Sequence, residues 1–495
     1  MGVLKKLVSQ TAIYGTSSIV ARFLNYLLVP LYTYSFTAAE YGVVAEFYAY
    51  VGFFAVLLLL GFETGYFRFR DKTSPQRDRA YSTALIFVLG ANLAFLTLIL
   101  LLSGPLSSAL HYADHPEYLW WLALILAMDA VAAIAFARLR AEERALRFVT
   151  IKIAEILMTI GFSLFFIVWC PMLYAADPNG WITLIYNPEI GIGYIFIANL
   201  IASIFKFVLL LPQLRGLTWG FDSALFARMW RYSLPMVVIG FAGVINEMLD
   251  RALLKYLLPH DLQTNMTMLG IYSACYKLAI LMTLFIQAFR YAAEPFFFAY
   301  ADKSDARQIY ADVLKYFVIF CVGIFLLVTL FIDLFQYFIA AEYRAGLAVV
   351  PILLLANLCL GIYVNLSIWY KLTDRTLMGA YVATAGALLT VGLNIWWIPL
   401  FGYMGSAWAT LACYGSMALA SYLLGQRYYP VNYDLKRILG YTSVGVLLYL
   451  LQAPLVQATG WQPWLLGILL LGSYLLLALW VDGRLLLRQL RRGNG

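Results

Sequence analysis

Long apolar runs alternate with short charged connections along the whole chain. A bilayer's hydrocarbon layer is ~30 Å thick, and a helix rising 1.5 Å per residue crosses it in ~20 residues. Fourteen runs reach that length: 7–34, 41–67, 81–103, 118–137, 149–174, 190–212, 232–257, 270–300, 313–341, 346–370, 377–397, 403–425, 438–456 and 463–480. Each predicts a helix, because a helix satisfies its own backbone hydrogen bonds where no water reaches. The pattern therefore predicts an all-α polytopic membrane protein with about 14 transmembrane helices. An even number of spans puts both termini on one side.

The connections decide which side. With the N-terminus inside, the inside segments (1–6, 68–79, 138–147, 213–231, 301–312, 371–376, 426–437 and 481–495) hold 25 lysines and arginines. The outside loops hold only Arg344. An excess of Lys and Arg marks cytoplasmic loops, so both termini are expected in the cytoplasm. The net charge of +8 then needs no nucleic-acid partner. The basic loops RFRDKTSPQRDR (68–79) and RLRAEERALR (138–147) read as orientation signals at an anionic leaflet.

Composition agrees. The chain is 63% hydrophobic and 12% charged, where soluble domains are about 25% charged. No loop is long enough for a soluble domain. Lys5 and Lys6 precede a stretch too long and too polar for a cleaved leader, so the first span is expected to stay. The five cysteines lie in or beside apolar spans at no metal-ligand spacing. His111 and His115 alone would make a poor metal site. With no G-x-x-x-x-G-K-[ST], H-E-x-x-H or C-x-x-C motif, neither an enzyme nor a cofactor or metal is expected.

The chain also reads as duplicated. RYSLPMVVIGFAGVINEMLDRALLKYLL, opening the seventh span, echoes SQTAIYGTSSIVARFLNYLLVPLY, opening the first. A short loop and a glycine-led helix follow each: EYGVVAEFYAY (40–50) and MLGIYSACYKLAI (268–280). Both repeats start inside, which predicts two six-helix lobes related by a parallel pseudo-twofold axis along the membrane normal. Their expected limits are 1–215 and 220–430, with two additional helices and a basic tail over 431–495.

Ionisable residues inside spans are expensive and mark function by default. Asn246, Glu247, Asp250, Arg251 and Lys255 form a stripe in one span, read either as a wall of an aqueous cavity or as a self-neutralised pair holding two helices. Arg22 sits mid-span one turn from Asn25, and neither Arg22 nor Lys277 has an acid within a turn of its own helix. Both are expected to line a water-filled chamber between the lobes, with Arg251 and Arg290 near it. Arg290 and Glu294 are placed to neutralise one another. Lys152, Lys206, Lys255 and Lys315 lie close enough to an interface to snorkel. The intramembrane acids are mostly expected to partner cations, with Glu46, Glu63 and Asp250 as candidates for binding a coupling ion.

Three phrases carry a family likeness: LVSQTAIYGTSSIVARFLNYLLVPLYTYSFTAAEYGVVAEF at the start, SLPMVVIGFAGVINEMLDRALLKYLL (233–258) and NIWWIPLFGYMGSAWATLACYGSMALASYLL (394–424). The chain resembles bacterial polysaccharide exporters, the Wzx-type lipid-linked oligosaccharide flippases of the multidrug/oligosaccharidyl-lipid/polysaccharide exporter superfamily. The resemblance implies a monomeric alternating-access transporter in the bacterial cytoplasmic membrane. Its substrate would be a polyprenyl-diphosphate oligosaccharide used in cell-surface polysaccharide or lipopolysaccharide synthesis. Its other partners would be membrane lipids and the polysaccharide synthesis machinery. Arg22, Asn25, Arg251, Lys277 and Arg290 are the positions that would meet the substrate. The last two helices resemble the extra pair of the lipid II flippase branch. A multidrug or cation exporter of the same superfamily and a membrane-embedded polysaccharide polymerase or ligase are the alternatives; an acidic cavity or a catalytic loop would favour them.

Overall fold

The computed structural model describes residues 15, 19–70, 77–214, 220–301 and 303–483. The opening part of the first expected span, the centre of loop 68–79 and nearly all of the basic tail lie outside the described residues. Among the described residues, thirteen helices are long and apolar enough to cross a membrane. They correspond one for one with the second to fourteenth expected spans, which is the outcome that backbone satisfaction in lipid demands.

The described elements begin with α1 (Leu28–Ser35), α2 (Ala38–Leu59), α3 (Phe62–Phe69), α4 (Arg77–Ala109) and α5 (Glu117–Ala141). Then come α6 (Ala145–Leu164), α7 (Cys170–Ala176), α8 (Gly193–Leu214), α9 (Ser223–Leu257) and α10 (Leu262–Tyr300). The remainder is α11 (Ala306–Leu330), α12 (Val349–Leu366), α13 (Ile368–Leu372), α14 (Thr376–Phe401), α15 (Tyr403–Tyr428), α16 (Leu435–Thr459) and α17 (Pro463–Ala478). The helices gather into two compact units, one ending at residue 270 and one beginning at 271.

Local sequence sets the ends. Thr37 caps α2 in a reciprocal box with Glu40: the Thr37 hydroxyl accepts from the Glu40 amide, and the Glu40 carboxylate accepts from the Thr37 amide at 2.8 Å. Leu60 and Gly61, at φ 47° and 69°, break the span between α2 and α3. Gly402, at φ 61°, separates α14 from α15. Expected span 313–341 is shorter than the pattern implies. Its helix stops at Leu330, and residues 332–346 form short irregular turns.

In the first unit α2 packs against α9 and α5, and α8 packs against α5 and α6. Two glycines let backbones nearly touch there. A Cβ added to Gly42 would lie 2.3 Å from the Met266 carbonyl oxygen, and one on Gly270 would lie 1.8 Å from that of Ala38. In the second unit α12 and α14 pack on α15, while α16 and α17 pack on α11. Trp369, Tyr370, Tyr414 and Met417 form the core beside α13.

The stripe on α9 is settled by burial. Asn246 and Asp250 recur every four residues with Ala242 and Leu254, and all four are buried. The aqueous-wall reading therefore fails for Asn246 and Asp250, which protein covers almost completely. Glu247, on another face, is exposed.

Candidate functional site

Among the described residues, charged groups inside the spans sort into closed networks and an open cleft. The most enclosed network joins α2 to α9. Glu46 is fully buried and Lys255 is 2% exposed. The Lys255 ammonium donates to both Glu46 oxygens at 2.9 Å and to the Leu110 carbonyl at 2.7 Å. Tyr50 and Tyr112 each donate a hydroxyl to the same carboxylate at 2.5 Å. Burial and the neighbouring Glu46 charge push the Tyr112 phenol above its ordinary range, so it remains a donor. Lys255 does not snorkel to the outer interface, as its position near a helix end suggests. A buried carboxylate on another helix holds it.

The same correction applies to Lys206 and Lys315. Lys206 is buried on α8 and donates to Asp129 at 2.6 Å and Glu155 at 2.5 Å. Lys152 reaches Glu155 at 3.3 Å and keeps 35% of its side chain exposed. Lys315 is buried on α11 between Asp312 at 3.2 Å and Asp482 at 3.3 Å. Asp482 also accepts from Arg437 and, at 2.7 Å, from Tyr441. That cluster ties α16 and the end of the last span to α11. Of the coupling-ion candidates, Glu63 pairs with Arg140. Asp250 accepts from the Arg251 amide at 2.8 Å and faces its guanidinium at 3.5 Å.

The expected substrate contacts lie as follows. Arg22 and Asn25 are exposed on the first described helical segment, one turn apart. Arg251 is 13% exposed and donates to the Glu247 carbonyl at 2.6 Å. Lys277 is half-buried on α10. Arg290, on the same helix, is exposed thirteen residues further on, about 20 Å along the axis at 1.5 Å per residue.

Arg290 lines a cleft within the second unit, with Glu294 and Phe289 of α10, Asn365 of α12 and Lys371 of α13. The expected Arg290–Glu294 pair gives way to a pair between Glu294 and Lys371, so the acid reaches across to a neighbouring helix. Lys371 falls outside the expected site, because the pattern ends that span at 370 and assigns the lysine to a loop. Asn365 falls outside it too; a lone amide in an apolar run is its only signal.

The pattern of the polysaccharide biosynthesis protein family matches residues 36–341, more than half of the chain. No curated protein sequence matches it. Among solved structures, the fold is similar to the lipid II flippase MurJ in an inward closed conformation, at TM-score 0.71 and 16% identity, covering 97% of this chain and 99% of that one. It is similar to an inward-facing multidrug resistance MATE family transporter of the MOP superfamily at TM-score 0.65 and 12% identity, over 82% of this chain and 93% of that one. It is also similar to a MATE transporter in the straight conformation, at TM-score 0.61 and 13% identity, over 86% of this chain and 95% of that one. The chain thus has the fold of these membrane transporters, and by its sequence it belongs to the polysaccharide biosynthesis protein family.

Proposed function

We propose that the chain flips a polyprenyl-diphosphate oligosaccharide across the bacterial cytoplasmic membrane by alternating access, with both termini in the cytoplasm. The family match over residues 36–341 carries this reading. The fold likeness to a lipid II flippase, nearly complete over both chains, supports it. The MATE transporters cover 82% or 86% of the chain.

Physical chemistry asks for what the spans contain. Each unsatisfied polar group carried into hydrocarbon costs several kcal/mol, so a diphosphate and its sugars need a lined path. In this reading Arg22, Arg251, Lys277 and Arg290, with Asn25, meet the headgroup, and guanidinium groups match phosphate oxygens in paired geometry. The two lobes, 1–215 and 220–430, alternate the access, and 431–495 supplies the additional pair of helices. Glu46, Glu63 and Asp250 are the groups to test for ion coupling.

Export of lipid-linked sugar by cells carrying Arg22→Ala or Lys277→Ala should fall to background while the protein stays inserted. Arg22→Lys should be partly active, because lysine keeps the charge and loses the planar fork. Normal export by both alanine variants would overturn the reading and move the multidrug exporter ahead. Cysteines introduced at Ser74 and Asn179 should label from opposite faces of the membrane; labelling of both from outside would overturn the orientation.

A further inference from the structure

The cleft of α10, α12 and α13 differs from every closed network described above: its fixed charges do not cancel. Arg290 and Lys371 bring two cations against the single acid Glu294. The Glu294–Lys371 pair is solvated, with 34% and 44% of the side chains exposed. Asn365 supplies a second, independent observation. It is 5% exposed, its amide nitrogen donates to the Gly361 carbonyl at 3.0 Å, and its Oδ1 is buried with no hydrogen-bond partner among the described residues. The first bond fixes which way the amide points, so an acceptor is left over on a residue that lines the cleft. Buried acceptors of this kind call for a donor.

We propose that this cleft is a loading site for the phosphate–sugar junction of the lipid-linked substrate, and that Glu294 is a built-in competitor for it. The proposal rests on the reading of the chain as a lipid-linked oligosaccharide carrier. In the empty site Glu294 occupies Lys371. An arriving phosphate, carrying more charge and more acceptor oxygens than a carboxylate, takes Lys371 and adds Arg290. The first sugar then offers a hydroxyl or amide N–H to Asn365 Oδ1, against the apolar wall of Phe289 and Phe297. Lys371 belongs to a connection on the basic side of the charge pattern, the side from which the lipid-linked sugar would be loaded. Glu294 stays in the cleft beside the bound phosphate, and repulsion between the two anions favours release, so the site can empty as well as fill.

The test is calorimetric titration of the purified full-length chain in detergent with three probes: farnesyl diphosphate, farnesol, and farnesyl diphosphate bearing one N-acetylhexosamine. The wild type should bind the diphosphates and not the alcohol. Lys371→Gln should weaken diphosphate binding by roughly tenfold, the scale of one lost charge-assisted hydrogen bond, and Lys371→Arg should restore it. Glu294→Gln should tighten binding several-fold, because the competitor is gone. Asn365→Ala should erase the preference for the sugar-bearing probe and leave farnesyl diphosphate unchanged. A purely structural ion pair would move Lys371→Gln and Glu294→Gln in the same direction, and that result overturns the proposal. So does wild-type binding in both variants while cells still export lipid-linked sugar. Absence of export together with the opposite-signed binding shifts would overturn the flippase reading and leave the anion site standing.

Discussion

Glu46 and Glu294 are both carboxylates inside spans, and each faces a lysine on another helix. They differ in everything else they touch. Both oxygens of Glu46 are used by one ammonium and two phenols, and the group is fully buried. Glu294 has one lysine, partial solvation, and an arginine in the same cleft. The first arrangement leaves neither carboxylate oxygen without a partner; the second leaves a cation over. Of the two, the Glu294 cleft has bonding left to offer a ligand, whereas Glu46 would have to release a partner before it could bind an ion.

The comparison can be broken most sharply at Lys255. Lys255→Met leaves Glu46 as an uncompensated buried charge, and should lower stability by about 3–5 kcal/mol. Adding Glu46→Gln to it should recover most of the loss. Unfolding in a mixed-detergent titration measures both, and a Lys255→Met protein as stable as wild type would return this network to the list of candidate sites. Asp482→Asn is expected next. It weakens three contacts at once, from Lys315, Arg437 and Tyr441, and should cost about 2 kcal/mol on the scale of hydrogen bonds to charged groups. Limited proteolysis at the 429–434 connection should quicken with it. The smallest effect belongs to Lys371→Gln, which should change stability by less than about 1 kcal/mol, as exposed pairs do. A large loss there would mean that the cleft pair is structural like the others.

The helices are legible in the sequence because lipid leaves an apolar run few alternatives, and thirteen of the expected spans meet described helices of membrane-crossing length. The pairings are not. Lys255 and Glu46 are 209 residues apart, Lys206 and Asp129 77, and Lys206 and Glu155 51. Sequence shows the distance from each lysine to the nearest interface, so snorkelling looks available; it does not show which helix passes alongside. The same blindness puts Glu294 with its neighbour in sequence instead of with Lys371. Cost alone marks the stripe from Asn246 to Lys255 as facing away from lipid, and only burial in the folded chain reveals that protein, not water, covers Asn246 and Asp250. Lys371 escapes by one residue of span boundary, the part of a helix that is located least well.

The close approach at Gly42 and Gly270 has a consequence for how such a chain can drift over generations. Residues lining a cleft can be exchanged one at a time, with each change adjusting what is bound. Neither of these two positions has that freedom, since any side chain at either would have to occupy a carbonyl oxygen of the other segment. Substrate preference can wander along this scaffold while these two positions hold still, and a lineage that lost either glycine would have to rebuild the seam before anything else.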